Sequence, residues 1–324
     1  MAVSFFGSSF FLFVLFCSSF SHAQLLDNSS GNAFTDIPFF NTKFVKASKI
    51  KEIKGEYVFK KQGDVMRQTD FVYEFQFDTL GNLIRHYKTA KGDILTDSSV
   101  AFYTYDERGL KMWSQSQKKG FLRTIYTRDT LGRVIQEDVY RDIDTLHSLL
   151  DPEIERSLLW NSETMKYEEY LGQFRKKVYN SYGNQYLEYT SYYDSLGFLS
   201  RTEELFTITQ NRITSYYTYS DKGFIAGIKT IKNTDSIPLE EVQFVYDQYG
   251  NLLTKKIFKN GVYTTEYSII YSQVTGLLSS VLIREISTNF ISIIRFKEPT
   301  FWDKEKQGEN ENESGDKKEG KGER

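Results

Sequence analysis

Seven times this chain sets a glycine three or four residues after an aspartate or serine, at the end of a run rich in aromatic and β-branched residues. The copy at Phe244-Val245-Tyr246-Asp247-Gln248-Tyr249-Gly250-Asn251-Leu252 shows the chemistry best. Val242, Phe244 and Tyr246 alternate with other residues, the period of a strand that buries one face. Asp247 can accept hydrogen bonds from N–H groups just ahead of it, and Gly250 can take the left-handed backbone that closes such a turn. The same device recurs at Asp78 and Gly81, Asp106 and Gly109, Asp129 and Gly132, Asp194 and Gly197, then around Gly223 and Gly276. From Gly197 onward the glycines stand 26, 27 and 26 residues apart, whereas 28 and 23 separate Gly81, Gly109 and Gly132. A period of this size predicts a repeat architecture.

Between these turns lies a second kind: Lys91-Gly92-Asp93, Lys119-Gly120, Asn233-Thr234-Asp235-Ser236 and Asn260-Gly261. Asn-Gly is a strong hairpin signal because both residues tolerate positive φ. Gly183, about half a period before Gly197, fits this opposite-end class. Each repeat is therefore two strands of about ten residues joined alternately at opposite ends. The predicted fold class is all-β, a long antiparallel meander of hairpin repeats forming a twisted or spiralling sheet.

The segments around the repeats are distinct. Residues 1–23 carry no Lys, Arg, Asp or Glu, hold an apolar run from Phe5 to Phe16, and end in Ser21-His22-Ala23. They read as a secretory signal peptide cleaved between Ala23 and Gln24. Cys17, the only cysteine, lies inside it, so the chain from Gln24 has no thiol. Lipidation of Cys17 is the minor alternative. Residues 24–43 read as a lead-in that packs on the first strands, and 44–298 as the repeat domain. Within it, 142–160 reads as an irregular insertion, a short helix or ordered loop opened by Asp151-Pro152, with a degenerate turn at Asn161-Ser162-Glu163-Thr164.

Residues 299–324 read as a disordered charged tail: its last 22 residues hold fourteen charged side chains and no apolar one. Without those 22 residues, acids and bases balance at thirty-five each. A neutral body of this kind predicts no nucleic-acid partner.

The pattern Tyr-x-Tyr-Asp-x-x-Gly followed closely by Leu, seen at Tyr103 to Leu110 and with Phe244 first at Phe244 to Leu253, resembles the YD repeat of the Rhs family. More closely still, the chain resembles the short, solitary YD-like secreted proteins of Bacteroidota. Arg128 replaces the tyrosine before Asp129, Ser220 and Ser272 replace the turn aspartate, and the period is longer than the family's. The resemblance implies a spiralling antiparallel sheet used outside the cytoplasm as a shell or binding surface.

No residue pattern announces catalysis. His86 and His147 have no motif linking them to Asp or Ser, and no HExxH, GxSxG or phosphate-binding glycine loop is present. The pairs Glu168-Glu169, Glu203-Glu204 and Glu240-Glu241 are strand neighbours that point to opposite faces, so a working dyad must form across strands. The row of turn aspartates Asp78, Asp106, Asp129, Asp194 and Asp247 suits cation binding in principle, but each is already explained by capping its own turn. Tyr263, Tyr267 and Tyr271 are expected on one face, and Tyr216 and Tyr217 on opposite faces.

The expected function is that of a secreted, periplasmic or outer-membrane-associated, non-enzymatic repeat protein that presents its sheet to a protein or glycan partner, with no cofactor and no metal. The alternatives are a polysaccharide-active enzyme with cross-strand carboxylates and an outer-membrane β-barrel.

Overall fold

The structure is a computed structural model that describes residues 24–61, 63–91, 96–117, 120–144, 148–170 and 173–302. Local chemistry sets the hairpins. Asp247 Oδ1 accepts from the N–H groups of Tyr249 and Asn251 at 2.8 and 2.9 Å, and Gly250 has φ +89°. Asp78, Asp129 and Asp194 repeat this double acceptance, and Asp106 accepts from Arg108. At the other end of the strands, Asn260 and Gly261 both hold positive φ, as a tight hairpin of this type requires.

These turns join β1 (Ile50–Lys60), β2 (Arg67–Phe77), β3 (Leu83–Lys91), β4 (Thr96–Asp106), β5 (Gly109–Gln117), β6 (Gly120–Arg128), β7 (Val134–Asp144), β8 (Ile154–Tyr170) and β9 (Gln173–Tyr179). The chain continues through β10 (Gln185–Tyr193), β11 (Leu199–Phe206), β12 (Arg212–Tyr219), β13 (Ile225–Lys232), β14 (Glu240–Tyr246), β15 (Leu252–Lys259), β16 (Val262–Tyr271), β17 (Leu278–Glu285) and β18 (Phe290–Phe296). A two-residue β19 (Thr300–Phe301) pairs with the start of β1. From β1 to β18 every strand is antiparallel to its chain neighbour, and β18 and β19 both run antiparallel to β1.

The all-β meander is therefore as expected, but the sheet does not spiral open. β1 pairs with β2 along one edge and with β18 along the other, from Gly55 opposite Phe296 to Lys60 opposite Ile291. Eighteen strands close into a barrel, which removes both free edges of the meander.

Two further expectations are corrected. The stretch 142–160 forms no helix among its described residues: it supplies the end of β7 and the start of β8, where pairing with β7 prevails over the helix-start signal of Asp151-Pro152. Asn161 to Thr164 lie inside β8, and the chain reverses between Tyr170 and Gln173. Gly183 does turn the chain at the end opposite the aspartate turns, since it joins β9 to β10. Residues 1–23, His147 and the tail from 303 lie outside the described residues, so Gln24 is the first residue seen.

Cross-strand partners share a face, so the pairing can be followed right round the ring. The line through Phe75, His86, Ala101, Gln115, Leu122 and Arg141 on one side, and through Phe244, Lys255, Tyr267 and Ile283 on the other, is the inner face. Residues 24–49 lie against that face as an internal plug. Leu26 bridges Phe40, and a short helix α1 (Thr42–Ala47) is capped by Asn41 Oδ1, which accepts from Lys43 and Phe44. Phe39 and Phe40 pack on Phe75 and Phe77 of β2, as a lead-in on the first strands should. The plug also reaches the far side: Phe34 stacks on Tyr267, Asn28 Nδ2 donates to Tyr246 Oη at 2.8 Å, and Lys255 Nζ donates to the Ala33 carbonyl at 2.8 Å. The main core is thus the plug and the inner faces of strands on both sides of it.

Candidate functional site: the lumenal wall beside the plug

The outer wall is built of charge pairs. Lys256 faces Glu266, which faces Arg284 on the next strand; Lys229 faces Glu241; Lys177 faces Glu188. Glu74 is bound by Arg85 at 2.7 Å and by Lys54 at 3.4 Å. A charged side chain on a lipid-facing barrel wall costs about 2–4 kcal/mol at mid-depth, so each of these pairs stands at less cost facing water than facing lipid. No helix among the described residues is long and apolar enough to cross a membrane.

The inner wall divides in two. Between β13 and β4, by way of the β1–β18 closure, it is aromatic and aliphatic and carries the plug. Between β6 and β11 it is ionisable. Glu137 of β7 stands opposite Glu163 of β8 and is flanked by Tyr126 of β6. Lys176 of β9 lies between Tyr167 and Tyr189, and Tyr189 stands opposite Glu204 of β11. All share the inner face. Met165, Val178 and Leu187 form a small apolar cluster within this wall.

Burial shapes the charges of this patch. It raises the pKa of Glu137, helped by Glu163 and opposed by Lys176, and it raises that of Glu204, again opposed by Lys176. It lowers the pKa of Lys176, while Glu137, Glu204 and Glu163 act the other way. The Lys176 ammonium sits 4.0 Å from the centre of the Tyr189 ring. Burial and the nearby Glu204 push the Tyr189 phenol up to about 12. Glu163 Oε1 accepts from Tyr186 Oη at 2.7 Å and from Asn161 Nδ2 at 2.9 Å. The result is a half-buried surface of carboxylates, an ammonium and phenol rings, able to exchange hydrogen bonds with a polar ligand while offering ring faces to stack on.

The residues singled out in the sequence lie elsewhere, with one exception. The turn aspartates occupy one rim, their oxygens taken by N–H groups of their own turns, and no cluster of His, Cys, Asp or Glu among the described residues could hold a metal ion. His86 is buried beneath the plug, stacked on Phe75 with Tyr73 edge-on, and its Nε2 has no hydrogen-bond partner. Burial, with Lys88 nearby, lowers its pKa to about 4. Neighbouring glutamates do point to opposite faces: Glu203 meets Arg201 and Arg212 outside, whereas Glu204 faces the lumen and is the exception. Tyr216 is exposed and Tyr217 packs on the core. Tyr263 leaves the face of Tyr267, because a bulge between Ile257 and Phe258 turns it outward to stack on Phe258 and donate to Glu266.

Glu137, Glu163 and Lys176 were not legible as a site, for they lie on three strands and only register unites them. The exposed aromatics Trp160, Tyr182, Tyr216 and Tyr249 are scattered over strands and turns and form no stripe together.

No protein-family profile matches the chain, and no curated protein does. Among solved structures it is similar to a porin-like protein from Bacteroides uniformis, at TM-score 0.37 and 10% identity over 77% of this chain and 96% of that one. A porin-like protein from Bacteroides vulgatus aligns at TM-score 0.31 and 12% identity, over 75% and 96%. The TcdB2–TccC3 complex without its hypervariable C-terminal region aligns at TM-score 0.25 and 11% identity, over 72% of this chain and 15% of that one. Likenesses this low carry no function to this chain.

Proposed function

We propose that this is a non-enzymatic, extracytoplasmic binding protein that takes a glycan segment into the lumen beside its plug. The observation behind the reading is the ionisable inner wall, where Glu137, Glu163, Glu204 and Lys176 stand among Tyr126, Tyr186 and Tyr189. Hydroxyl groups of a sugar are matched by carboxylates and an ammonium together with aromatic faces. The location rests on the leader-like residues 1–23. The YD-like reading expects a spiralling sheet and the outer-membrane alternative a closed barrel, so closure through β1 and β18 favours that alternative, whereas the paired charges of the outer wall favour a body surrounded by water.

A second reading, a polysaccharide hydrolase, draws on one observation: Glu137 has a raised pKa beside another carboxylate, the environment of a general acid. One experiment separates the readings. The chain from Gln24 is tested for glycan binding on an array and by calorimetry, with product analysis of every bound polysaccharide. Binding without turnover, weakened at least about tenfold by Tyr189→Ala or Lys176→Met, supports the binding reading. Turnover lost in Glu137→Gln overturns it in favour of the hydrolase, and the absence of any glycan binding overturns both.

A further inference from the structure

Between β1 and β2 the ladder is interrupted by a bulge. Glu56 stands opposite Val72 and Val58 opposite Gln68, so Thr69, Asp70 and Phe71 of β2 face Tyr57 alone. A bulge of this kind leaves backbone groups without ladder partners and re-aims the side chains it carries. Threonine hydroxyls hold this one in place. Thr69 Oγ1 donates to the Tyr57 carbonyl at 2.8 Å and accepts from the Phe71 N–H at 3.2 Å, while Thr89 Oγ1 of β3 accepts from the Val72 N–H at 2.8 Å. The Phe71 ring packs edge-on to Phe59, and Asp70 is left exposed.

The bulge borders a cavity of about 380 Å³ at the seam where β18 closes the barrel. That volume falls within the range of about 300–1,000 Å³ usual for small-molecule sites. Buried Val58 gives it an apolar side. Its charges are not matched within the fold. Arg295 stands opposite Glu56, yet Glu56 is paired with Lys297, and the Arg295 guanidinium has only the Met66 sulfur, 3.1 Å from Nη2. A thioether is a weak acceptor. Asp70 lines the same cavity and has no hydrogen bond or ion pair among the described residues. A guanidinium and a carboxylate therefore share one cavity without pairing with each other.

We infer that this cavity binds a free amino acid, with its carboxylate on Arg295, its ammonium on Asp70 and its side chain towards Val58. The fork of N–H groups on a guanidinium matches a carboxylate in two parallel hydrogen bonds, and the Gln68 amide at the same cavity can donate a third. A simple anion would be drawn to Arg295 but repelled by Asp70 and Glu56, and a simple cation would meet the reverse. A molecule that carries both charges answers both. The site lies on β1, β2 and β18, away from the ionisable lumenal wall between β6 and β11.

The inference stands apart from the glycan reading, because it is measured with no glycan present. Calorimetry on the chain from Gln24, with the common amino acids each in turn, should find at least one that binds with a dissociation constant below about 1 mM. Its N-acetyl and its amide derivatives, each lacking one charge, should bind at least about tenfold more weakly, as should the amino acid itself to Arg295→Met and to Asp70→Asn. Acetylation should cost nothing further in Asp70→Asn, nor amidation in Arg295→Met, since each removes a contact already lost. Lys177→Met, elsewhere on the outer wall, should bind like the parent, and all three variants should keep its circular-dichroism melt. No binding by any amino acid, affinity indifferent to Arg295→Met or to Asp70→Asn, or acetate or phosphate binding as tightly as the amino acid overturns the proposal.

Discussion

The phenol of Tyr246 donates to the carbonyl of Ile225, 2.9 Å away on the strand that follows the previous aspartate-type turn. Tyr219 does the same to Leu199 at 2.9 Å and Tyr271 to Leu252 at 3.1 Å. Arg128, which stands where the repeat has tyrosine, reaches Leu110 at 3.0 Å with its guanidinium. The residue just before each of these turns is thus a latch onto the hairpin before it. That gives the tyrosine of the repeat a physical task and explains why a long donor can replace it.

Tyr246 is the latch whose removal should be felt most, because its oxygen also accepts from Asn28 of the plug. Tyr246→Phe leaves the buried Asn28 amide and the Ile225 carbonyl each short of a partner. The expected loss is about 1–3 kcal/mol in a urea melt. Tyr216→Phe, on an exposed ring, should leave the same melt unchanged.

Two turn glycines with nearly the same backbone should differ in their tolerance of a side chain. Gly250 and Gly197 have φ +89° and +85°, so Gly→Val strains either by on the order of 1–3 kcal/mol. A Cβ at Gly250 would also meet the Phe224 ring and the Gln24 amide, whereas at Gly197 it would enter open space. Gly250→Val should therefore lower the thermal midpoint more than Gly197→Val does. Equal shifts would remove the role assigned to the Gly250 contacts.

Phe40 tests the plug. It is 6% exposed and packs against Phe39, Phe75 and Phe77. Phe40→Ala should cost about 3–5 kcal/mol, the range for a buried phenylalanine, and should open residues 24–49 to proteolysis before the strands. Indifference of both stability and cleavage pattern to this substitution would mean that the segment contributes little to the core.

His86 should make the protein sensitive to mild acid. Its pKa in the fold is about 4, below the ordinary 6.5, so between those values the unfolded chain binds more protons than the folded one. Stability should accordingly fall as the pH drops from about 6.5 towards 4, and His86 should add no further loss below that. Asp36 of the plug and Lys88 of the same strand are the charges that face it, with Tyr73 and Phe75 as ring neighbours. Replacing His86 with Phe should flatten this part of the stability profile, as followed by chemical denaturation at successive pH values.

Much of the fold could be read from Asp247, Gly250, Asn260 and Gly261, because a tight turn is decided by residues within a few positions of one another. Gly183 was legible for the same reason, through its half-period spacing. Closure was not, for the pairing of Val58 with Ile293 depends on curvature summed over the whole meander. Tyr263 was misplaced because a single bulged residue reverses the face of what lies beyond it. The stretch from Asp151 to Trp160 carries a helix-start signal that the pairing of β8 with β7 overrides. The lumenal patch was hidden for a related reason: Glu137 and Glu204 sit four strands apart, and their approach to Lys176 exists only once register and curvature are fixed.

The plug imposes an order on synthesis. Lys255 grips the carbonyl of Ala33 across 222 residues of chain, and β1 finds its second partner only in β18. The plug is therefore made before any strand yet is among the last parts to be completed, and contacts of such long reach make for slow folding. Until β18 arrives, the nascent sheet keeps an open edge and an uncovered aromatic face, so the growing chain is most in need of a chaperone just before its final hairpin is made.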